Sequence, residues 1–326
     1  METPILVTGA NGFIGRRLVQ RLLDEGLETH AFLLHDTAVP PEWAGRALVH
    51  WGNIAAAERV EAVAKPARTI FHLAAVVGDW GPRQWFQSIT VDGTRHVLEA
   101  ARRQQAKVIL ASSIAVYGHQ LGGGPCHEGL AHGRAQGPYG WSKQAQERLA
   151  QQYALEHQVP IVTVRPANVY GPACRPWLHD LAAALRRGPA IIGHGRQNAA
   201  LIHVDNVVEL MLRAAAAPQA YGQVYNAAED CPTSWRQYMT DIARITQAPP
   251  PRSIPRWAAR PAAQIMEASG KLLRRRQRPQ LTREALQLVG SHLDIPIHKA
   301  RTELGYQPLV SYEQGLAAIE QYWRTL

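Results

Sequence analysis

Ile5-Leu6-Val7-Thr8-Gly9-Ala10-Asn11-Gly12-Phe13-Ile14-Gly15 decides the fold. Ile5 to Val7 is an apolar run that reads as a buried strand, and the glycines at 9, 12 and 15 read as the turn that leaves it. Arg16-Arg17-Leu18-Val19-Gln20-Arg21-Leu22-Leu23 then carries apolar residues at helical spacing. Strand, glycine turn, helix is the context in which such a fingerprint has a physical meaning. One glycine permits the tight turn and a second lets backbone N–H groups approach a pyrophosphate. The third lets the helix pack close to the strand, with its positive end toward the phosphates. A plain structural turn is the bland alternative, and the flanking strand and helix speak for a dinucleotide.

Working outward, strand and helix patterns alternate. Thr29 to Leu34, Ala47 to Val49, Arg68 to Leu73, Lys107 to Ala111 and Ile161 to Val164 read as strands. Ile54 to Ala64, Gln84 to Arg103 and Tyr139 to His157 read as helices. This alternation predicts an α/β fold: a Rossmann-type, doubly wound parallel sheet with right-handed crossovers, over residues 1–168. Beyond it Pro, Gly and Trp become frequent and strands short, which predicts a smaller α+β substrate-binding region over 169–326, with about 198–217 returning to the first domain. Ala200 to Val204 and Gln223 to Asn226 look like strands there, Val207 to Ala217 and Trp235 to Gln247 like helices, and Pro249-Pro250-Pro251 like an extended linker.

Composition narrows the classes. The chain has 326 residues, 46% hydrophobic and 19% charged, enough for a large core. Cys126, Cys174 and Cys231 are far apart and in no CxxC pair, which disfavours a disulfide framework or a zinc site. A strand starting by residue 5 predicts no signal peptide, and no apolar run reaches the length of a membrane span, so a cytoplasmic protein is expected. The net charge of +9 is spread along the chain, which does not suggest nucleic acid. Its one dense cluster, Lys271 to Arg278, ends an apolar and basic stretch from Trp257. That stretch reads as a solvated surface helix, or as an interfacial helix touching a membrane.

Two further segments carry chemistry. Tyr139 and Lys143 in Tyr139-Gly140-Trp141-Ser142-Lys143 stand at i and i+4, on one helix face. Ser113 ends the strand from Lys107, at the sheet edge where parallel α/β folds bind ligands. Lowering a phenol from a pKa near 10 to neutrality takes roughly 4 kcal/mol. One ammonium at about 4 Å contributes about that much at an effective dielectric of 20. Lys143, helped by a positive nicotinamide ring, is therefore expected to activate Tyr139; a half-buried tyrosine beside an exposed lysine is the alternative.

TGANGFIG at the N-terminus, HLAA at 72–75, DGT at 92–94, SSIAVYG at 112–118, YGWSK at 139–143, RPANVYGP at 165–172 and HVDN at 203–206 follow one another in order. In this the chain resembles the extended short-chain dehydrogenase/reductases, of the epimerase/dehydratase and 3β-hydroxysteroid dehydrogenase kind, over nearly its whole length. The resemblance implies an NAD(P)(H) cofactor and a Tyr139 general acid/base. Lys143 would bind the nicotinamide ribose and lower the tyrosine pKa, and Ser113, not Ser112, would hydrogen-bond the reacting oxygen. It implies pyrophosphate contacts from Gly9, Gly12 and Gly15 with the N–H groups of Phe13 and Ile14. Further cofactor contacts are implied from Asn53, Ile54, Leu73, Ala74, Ala75, Pro166, Asn168 and Val169. Relatives pair through the helices matching Gln84 to Arg103 and Tyr139 to His157, which implies a homodimer.

Departures from the family pattern bear on substrate. Ile114-Ala115 stands where sugar-nucleotide dehydratases carry Asp-Glu, so elimination of water lacks its proton shuttle. Ala199 occupies the slot of the arginine that grips a substrate diphosphate in sugar-nucleotide epimerases, with Arg186, Arg187 or Arg196 as possible substitutes. Thr90 replaces a frequent Asn. Trp80, Ile114 and Trp177, with Ser113, are the candidate substrate contacts, the tryptophans having core packing as their alternative. An alcohol/ketone oxidoreductase acting on a hydrophobic or extended molecule is expected. A sugar or nucleotide-sugar epimerase with tightly held NAD, or a non-catalytic NAD(P)H-binding protein, are the competing readings.

The ribose end is less marked. Leu33 falls where an NAD enzyme has its acid, with His35 and Asp36 the nearest polar residues, which slightly favours NADP. His203 and Asp205 are expected to order a strand-to-helix turn, and no metal site is expected. His127 and Glu128 are weaker candidates for substrate contact.

Overall fold

The computed structural model describes residues 1–35, 37–188, 191–229, 232–273 and 277–326. Asp36, Cys231 and Arg274 to Arg276 lie outside the described residues.

β1 (Ile5–Thr8) is buried at every position because helices cover both faces of its sheet. α1 (Phe13–Asp24) packs back on it through Leu18, Val19, Leu22 and Leu23. There follow β2 (Thr29–Leu33), β3 (Leu48–Trp51), α2 (Ala57–Ala64) and β4 (Thr69–His72). The helix expected over 84–103 has three parts: a turn α3 (Arg83–Trp85), a π-helical segment over Phe86–Asp92, and α4 (Gly93–Gln104). Gly93 lets α4 lie close to Ile54, since a Cβ there would come within 2.9 Å of the isoleucine side chain. β5 (Lys107–Ala111), a 3₁₀ stretch over Ile114–Gln120, α5 (Pro138–His157) and β6 (Ile161–Pro166) complete the alternation.

The seven-stranded sheet has the order β3-β2-β1-β4-β5-β6 and then β10 (Val224–Ala227), all parallel. Its strand order reverses between β1 and β4, and the crevice above that point, at the carboxyl ends of the strands, is where such a sheet binds ligands.

β7 (Asn168–Tyr170) leads through a π-helical segment over Arg175–Asp180 into α6 (Leu181–Arg187) and β8 (Ile191–Ile192). β9 (Leu201–His203) pairs with β7 in a separate two-stranded sheet. The segment that returns to the first domain is thus α7 (Val204–Ala216), packed on α1, together with β10, which runs beyond the expected 198–217. Outside the main sheet lie α8 (Trp235–Ile245), β11 (Ser253–Ile254), α9 (Arg256–Leu272), α10 (Arg283–Gly290), α11 (His298–Leu304) and α12 (Tyr312–Trp323). α9 turns Ala259, Ala263 and Gly270 inward and Trp257, Ile265 and Leu272 outward. Among the described residues no helix is long and apolar enough to cross a membrane.

Candidate active site

The turn after β1 is shaped by backbone contact. Gly9 has φ +67, a left-handed conformation, and a Cβ there would stand 2.8 Å from the Ala74 nitrogen. A Cβ on Gly15 would stand 2.2 Å from the Gly9 carbonyl oxygen, so only glycine lets the first turn of α1 close on the loop. Gly12, the N-cap of α1, brings no side chain to the helix start, and the first turn holds no acid. The N–H groups of Phe13, Ile14 and Gly15 therefore have no side-chain acceptor, and an anion fits them. Leu73, Ala74 and Ala75 form the facing wall, tied to β1 by Leu73 N–H to Thr8 O (3.2 Å) and Ala74 N–H to Thr8 Oγ1 (3.3 Å).

The catalytic candidates meet at the carboxyl end of β5. Ser112 and Ser113 point to different tasks. Ser112 Oγ donates to Glu147 Oε1 at 2.5 Å in the interior, whereas the Ser113 hydroxyl is the hydrogen-bond partner of the Tyr139 phenol. Lys143 Nζ lies 6.0 Å from the centre of the Tyr139 ring and donates to Ala111 O (2.7 Å) and Gln146 Oε1 (2.9 Å). Burial holds the phenol up at about 12, against the pull of Ser113 and with a further push from Glu284. Burial also brings Lys143 down to about 7, with Glu147 opposing. The expected depression of Tyr139 by Lys143 is thus not seen: the phenol is raised, and Lys143 is not among the groups that act on it. Desolvation outweighs a lysine that burial also disfavours in its charged form and that is engaged with Ala111 O and Gln146.

Two buried networks, neither legible beforehand, hold this geometry. The first runs from Lys143 to Gln146, whose Nε2 donates to Thr94 Oγ1 (2.7 Å). Thr94 gives its own proton to Thr90 O (2.6 Å), so His72 Nε2, 2.9 Å away, must be the donor to Thr94. His72 Nδ1 then accepts from Thr8 Oγ1 (2.7 Å), at the start of the glycine loop. Burial keeps His72 neutral, with a pKa near 3, as that arrangement requires. In the second, Arg165 clamps Glu147 through Nε (2.9 Å) and Nη2 (2.7 Å) and donates to Tyr117 Oη (3.0 Å). His132 lies 2.7 Å from the same carboxylate. The available signal was helical spacing: Gln146 and Glu147 follow Lys143 by three and four residues, on its own face.

Residues 5–228 match the NAD dependent epimerase/dehydratase family. The chain belongs to that family. It is an NAD(P)-dependent enzyme of the extended short-chain dehydrogenase/reductase type. Over 323 residues it is 29% identical to a 4-hydroxy-2-methyl-3-oxo-4-farnesyl-3,4-dihydroquinoline-1-oxide ketoreductase of Stigmatella aurantiaca, covering 97% of this chain and 95% of that protein. It is 28% identical to a 2-alkyl-3-oxoalkanoate reductase of Stenotrophomonas maltophilia, covering 97% and 98%. Among solved structures, MoeE5 in complex with UDP-glucose and NAD shares the fold with a TM-score of 0.77 at 24% identity, covering 99% of each chain.

The remaining expected site residues of this family member are placed as follows. His35 is exposed in the turn after β2. Asn53 follows β3 and its Oδ1 accepts Ala55 N–H (2.9 Å), while the Ile54 side chain is core packing. Pro166 ends β6, paired with Ala227. Asn168 Nδ2 donates to Ala199 O at 2.7 Å, joining β7 to the stretch before β9, and Val169 is half-buried in the same strand. Ile114 is turned into the core at 2% exposure, because the 3₁₀ turn after Ser113 points it under the sheet. Trp177 packs against Trp235, ring centres 4.9 Å apart and planes tilted by 46°, within an aromatic cluster of the C-terminal region, which gives its ring a packing role. Trp80 is half-buried, its ring against Gly270 of α9. The neighbouring Asp79 is gripped by Arg278 and accepts Thr282 Oγ1 (2.5 Å).

Thr90 Oγ1 accepts Val76 N–H (3.0 Å), pinning the loop after β4 from the π-helical segment. Glu128 Oε1 accepts Asn226 N–H (2.9 Å) and serves the sheet edge, while His127 is exposed. His203 caps α7 through Asp205 N–H (3.3 Å), and Asp205 pairs with Arg17 at 2.7 and 2.8 Å. Among the described residues no cluster could hold a metal ion.

Proposed function

We propose that this enzyme reduces a ketone carbonyl on an apolar or extended small molecule to a secondary alcohol, with NADPH. A bound nicotinamide dinucleotide supplies the hydride. The Ser113 hydroxyl hydrogen-bonds the carbonyl oxygen, and Tyr139 Oη gives that oxygen its proton as the C–H bond forms. Lys143 would hold the nicotinamide ribose, and the glycine loop the pyrophosphate.

The substrate class rests on the stretch before β9. Ala199 is fully buried where an arginine would grip a diphosphate, and its neighbours are committed elsewhere. Gln197 Nε2 donates to Ile192 O (3.0 Å) and Val289 O (2.8 Å), and Asn198 Nδ2 to Leu293 O (2.8 Å). Arg186 is no substitute, since it donates to Ala182 O and Thr246 O. Relatives named as reductases of a farnesylated quinoline oxide and of 2-alkyl-3-oxoalkanoates support an apolar ketone.

Support for NADPH comes from the end of β2, where Leu33 offers no carboxylate. Arg59 stands across from it, with Nε 2.8 Å from Trp51 O at the end of the neighbouring strand. The same reading includes a homodimer through α4 and α5, tested by sedimentation.

The decisive assay follows NADPH and NADH absorbance with a 2-alkyl-3-oxoalkanoate, beside UDP-glucose with NAD. Ketone-dependent NADPH consumption is expected. Epimerised UDP-sugar without net redox would replace the proposal by epimerisation, and cofactor binding with turnover of neither would leave a non-catalytic binder.

A further inference from the structure

Tyr139 lies in the first turn of α5, where a helix leaves N–H groups without intrahelical acceptors. The N-cap, Gly137, contributes no side chain, and Pro138 has no N–H. The acceptor comes instead from α10. Glu284 Oε1 takes the Gly140 N–H at 2.9 Å across 144 residues of sequence. The Glu284 residue is only 6% exposed, and its Oε2 is buried with no hydrogen-bond partner. The glycines of Gly137-Pro138-Tyr139-Gly140 make room for it. A Cβ on Gly137 would stand 2.1 Å from Oε2, and one on Gly140 3.2 Å from Oε1.

Among the described residues the charged and titratable groups facing this carboxyl are few. Tyr139 comes from α5, Asp79 from the loop after β4, Glu267 from α9, and Arg278 from the segment before α10. Among the described residues the cations near this carboxyl are paired elsewhere, Arg278 with Asp79 and Arg283 with Glu267 at 2.8 Å. β8, also packed against α10, brings only Ile191 and Ile192.

We propose that Glu284 is the positioning residue of the catalytic tyrosine: it seats the first turn of α5 and, once ionised, opposes phenolate formation so that Tyr139 remains a proton donor. This rests on the ketone-reduction reading. Burial pushes Glu284 up to about 8, with Asp79 and Glu267 adding to the rise and the Gly140 and Tyr139 amides opposing it. Its negative charge in turn raises Tyr139. A carboxyl that ionises above neutrality thus protects the acid form of Tyr139 where solvent would begin to remove its proton.

The test compares wild type with Glu284→Gln, which keeps an oxygen for Gly140 N–H, and Glu284→Ala, which does not. One arm needs no substrate. The folded pKa of about 8 lies above the ordinary 4.5, so the stabilisation by Glu284 is complete below pH 4.5 and is lost as pH rises through 8. The melting temperature of Glu284→Gln should therefore climb relative to wild type across that window and level off beyond it. In the second arm, with a 2-alkyl-3-oxoalkanoate and NADPH, the alkaline limb of kcat should move down by about one pH unit in Glu284→Gln. Glu284→Ala should lose about ten-fold in kcat through the missing cap, and Glu284→Gln should recover most of it. A melting difference that is flat with pH, or an alkaline limb that both variants share with wild type, overturns the proposal. Wild-type protein that reduces no ketone sinks the reaction reading alone, and the melting arm still decides whether Glu284 titrates in this seat.

Discussion

The glycine cradle and the mouth of the crevice are built in opposite ways. The cradle comes from residues 8–15 and 72–75, which belong to adjacent strands and pack through backbone atoms, with Gly15 against Gly9 and Gly9 against Ala74. The mouth is assembled by side chains far apart in sequence. Arg278 and Thr282 hold Asp79, Gly270 supports Trp80, and Glu284 caps the helix of Tyr139. One region is self-contained and specific for a kind of ligand that many chains bind. The other depends on the C-terminal segment closing over the site, and it is where a substrate would be selected.

Perturbing the catalytic point where the two regions meet should give the largest effect. Tyr139→Phe removes the proton donor and should lower ketone reduction by about 10²- to 10⁴-fold, with NADPH affinity by fluorescence close to wild type. Arg165→Ala leaves the buried Glu147 without its clamp and should cost about 3–5 kcal/mol in denaturant unfolding. Gly15→Ala strikes the cradle alone. Its Cβ meets a backbone oxygen that has no flexible side chain to yield, so about 1–3 kcal/mol of strain is expected, read as weakened NADPH binding. Arg278→Ala strikes the mouth alone. The partly exposed pair with Asp79 contributes up to about 1 kcal/mol, so stability should barely change while KM for the ketone rises. Equal loss of cofactor affinity in the last two variants would erase the distinction between the regions.

The same contrast explains what the sequence could tell. β5 has the same ends, Lys107 and Ala111, in sequence and structure, because a continuous apolar run bounded by Lys and Ser-Ser leaves little choice. The glycine spacing announced the cradle because close backbone approach demands that residue. Helical periodicity over 84–103 did not reveal the π-helical segment, since one wider turn leaves the apolar stripe nearly intact. That Asn168 bonds Ala199, and that Trp177 packs against Trp235, depended on elements packed from 30 to 60 residues away. Glu284 lay beyond reach for the same reason: nothing near it in sequence mentions Tyr139.

The most direct test of the account is transfer of deuterium from 4-deuterated NADPH to a 2-alkyl-3-oxoalkanoate, followed by mass spectrometry of the product. With both C4 hydrogens of NADPH replaced by deuterium, the account predicts one deuterium on the new carbinol carbon per NADPH oxidised, and a rate of label transfer about 10²- to 10⁴-fold lower with Tyr139→Phe although that variant still binds NADPH. Unlabelled ketone recovered intact beside a UDP-sugar converted to its epimer, or undiminished transfer by Tyr139→Phe, would contradict it.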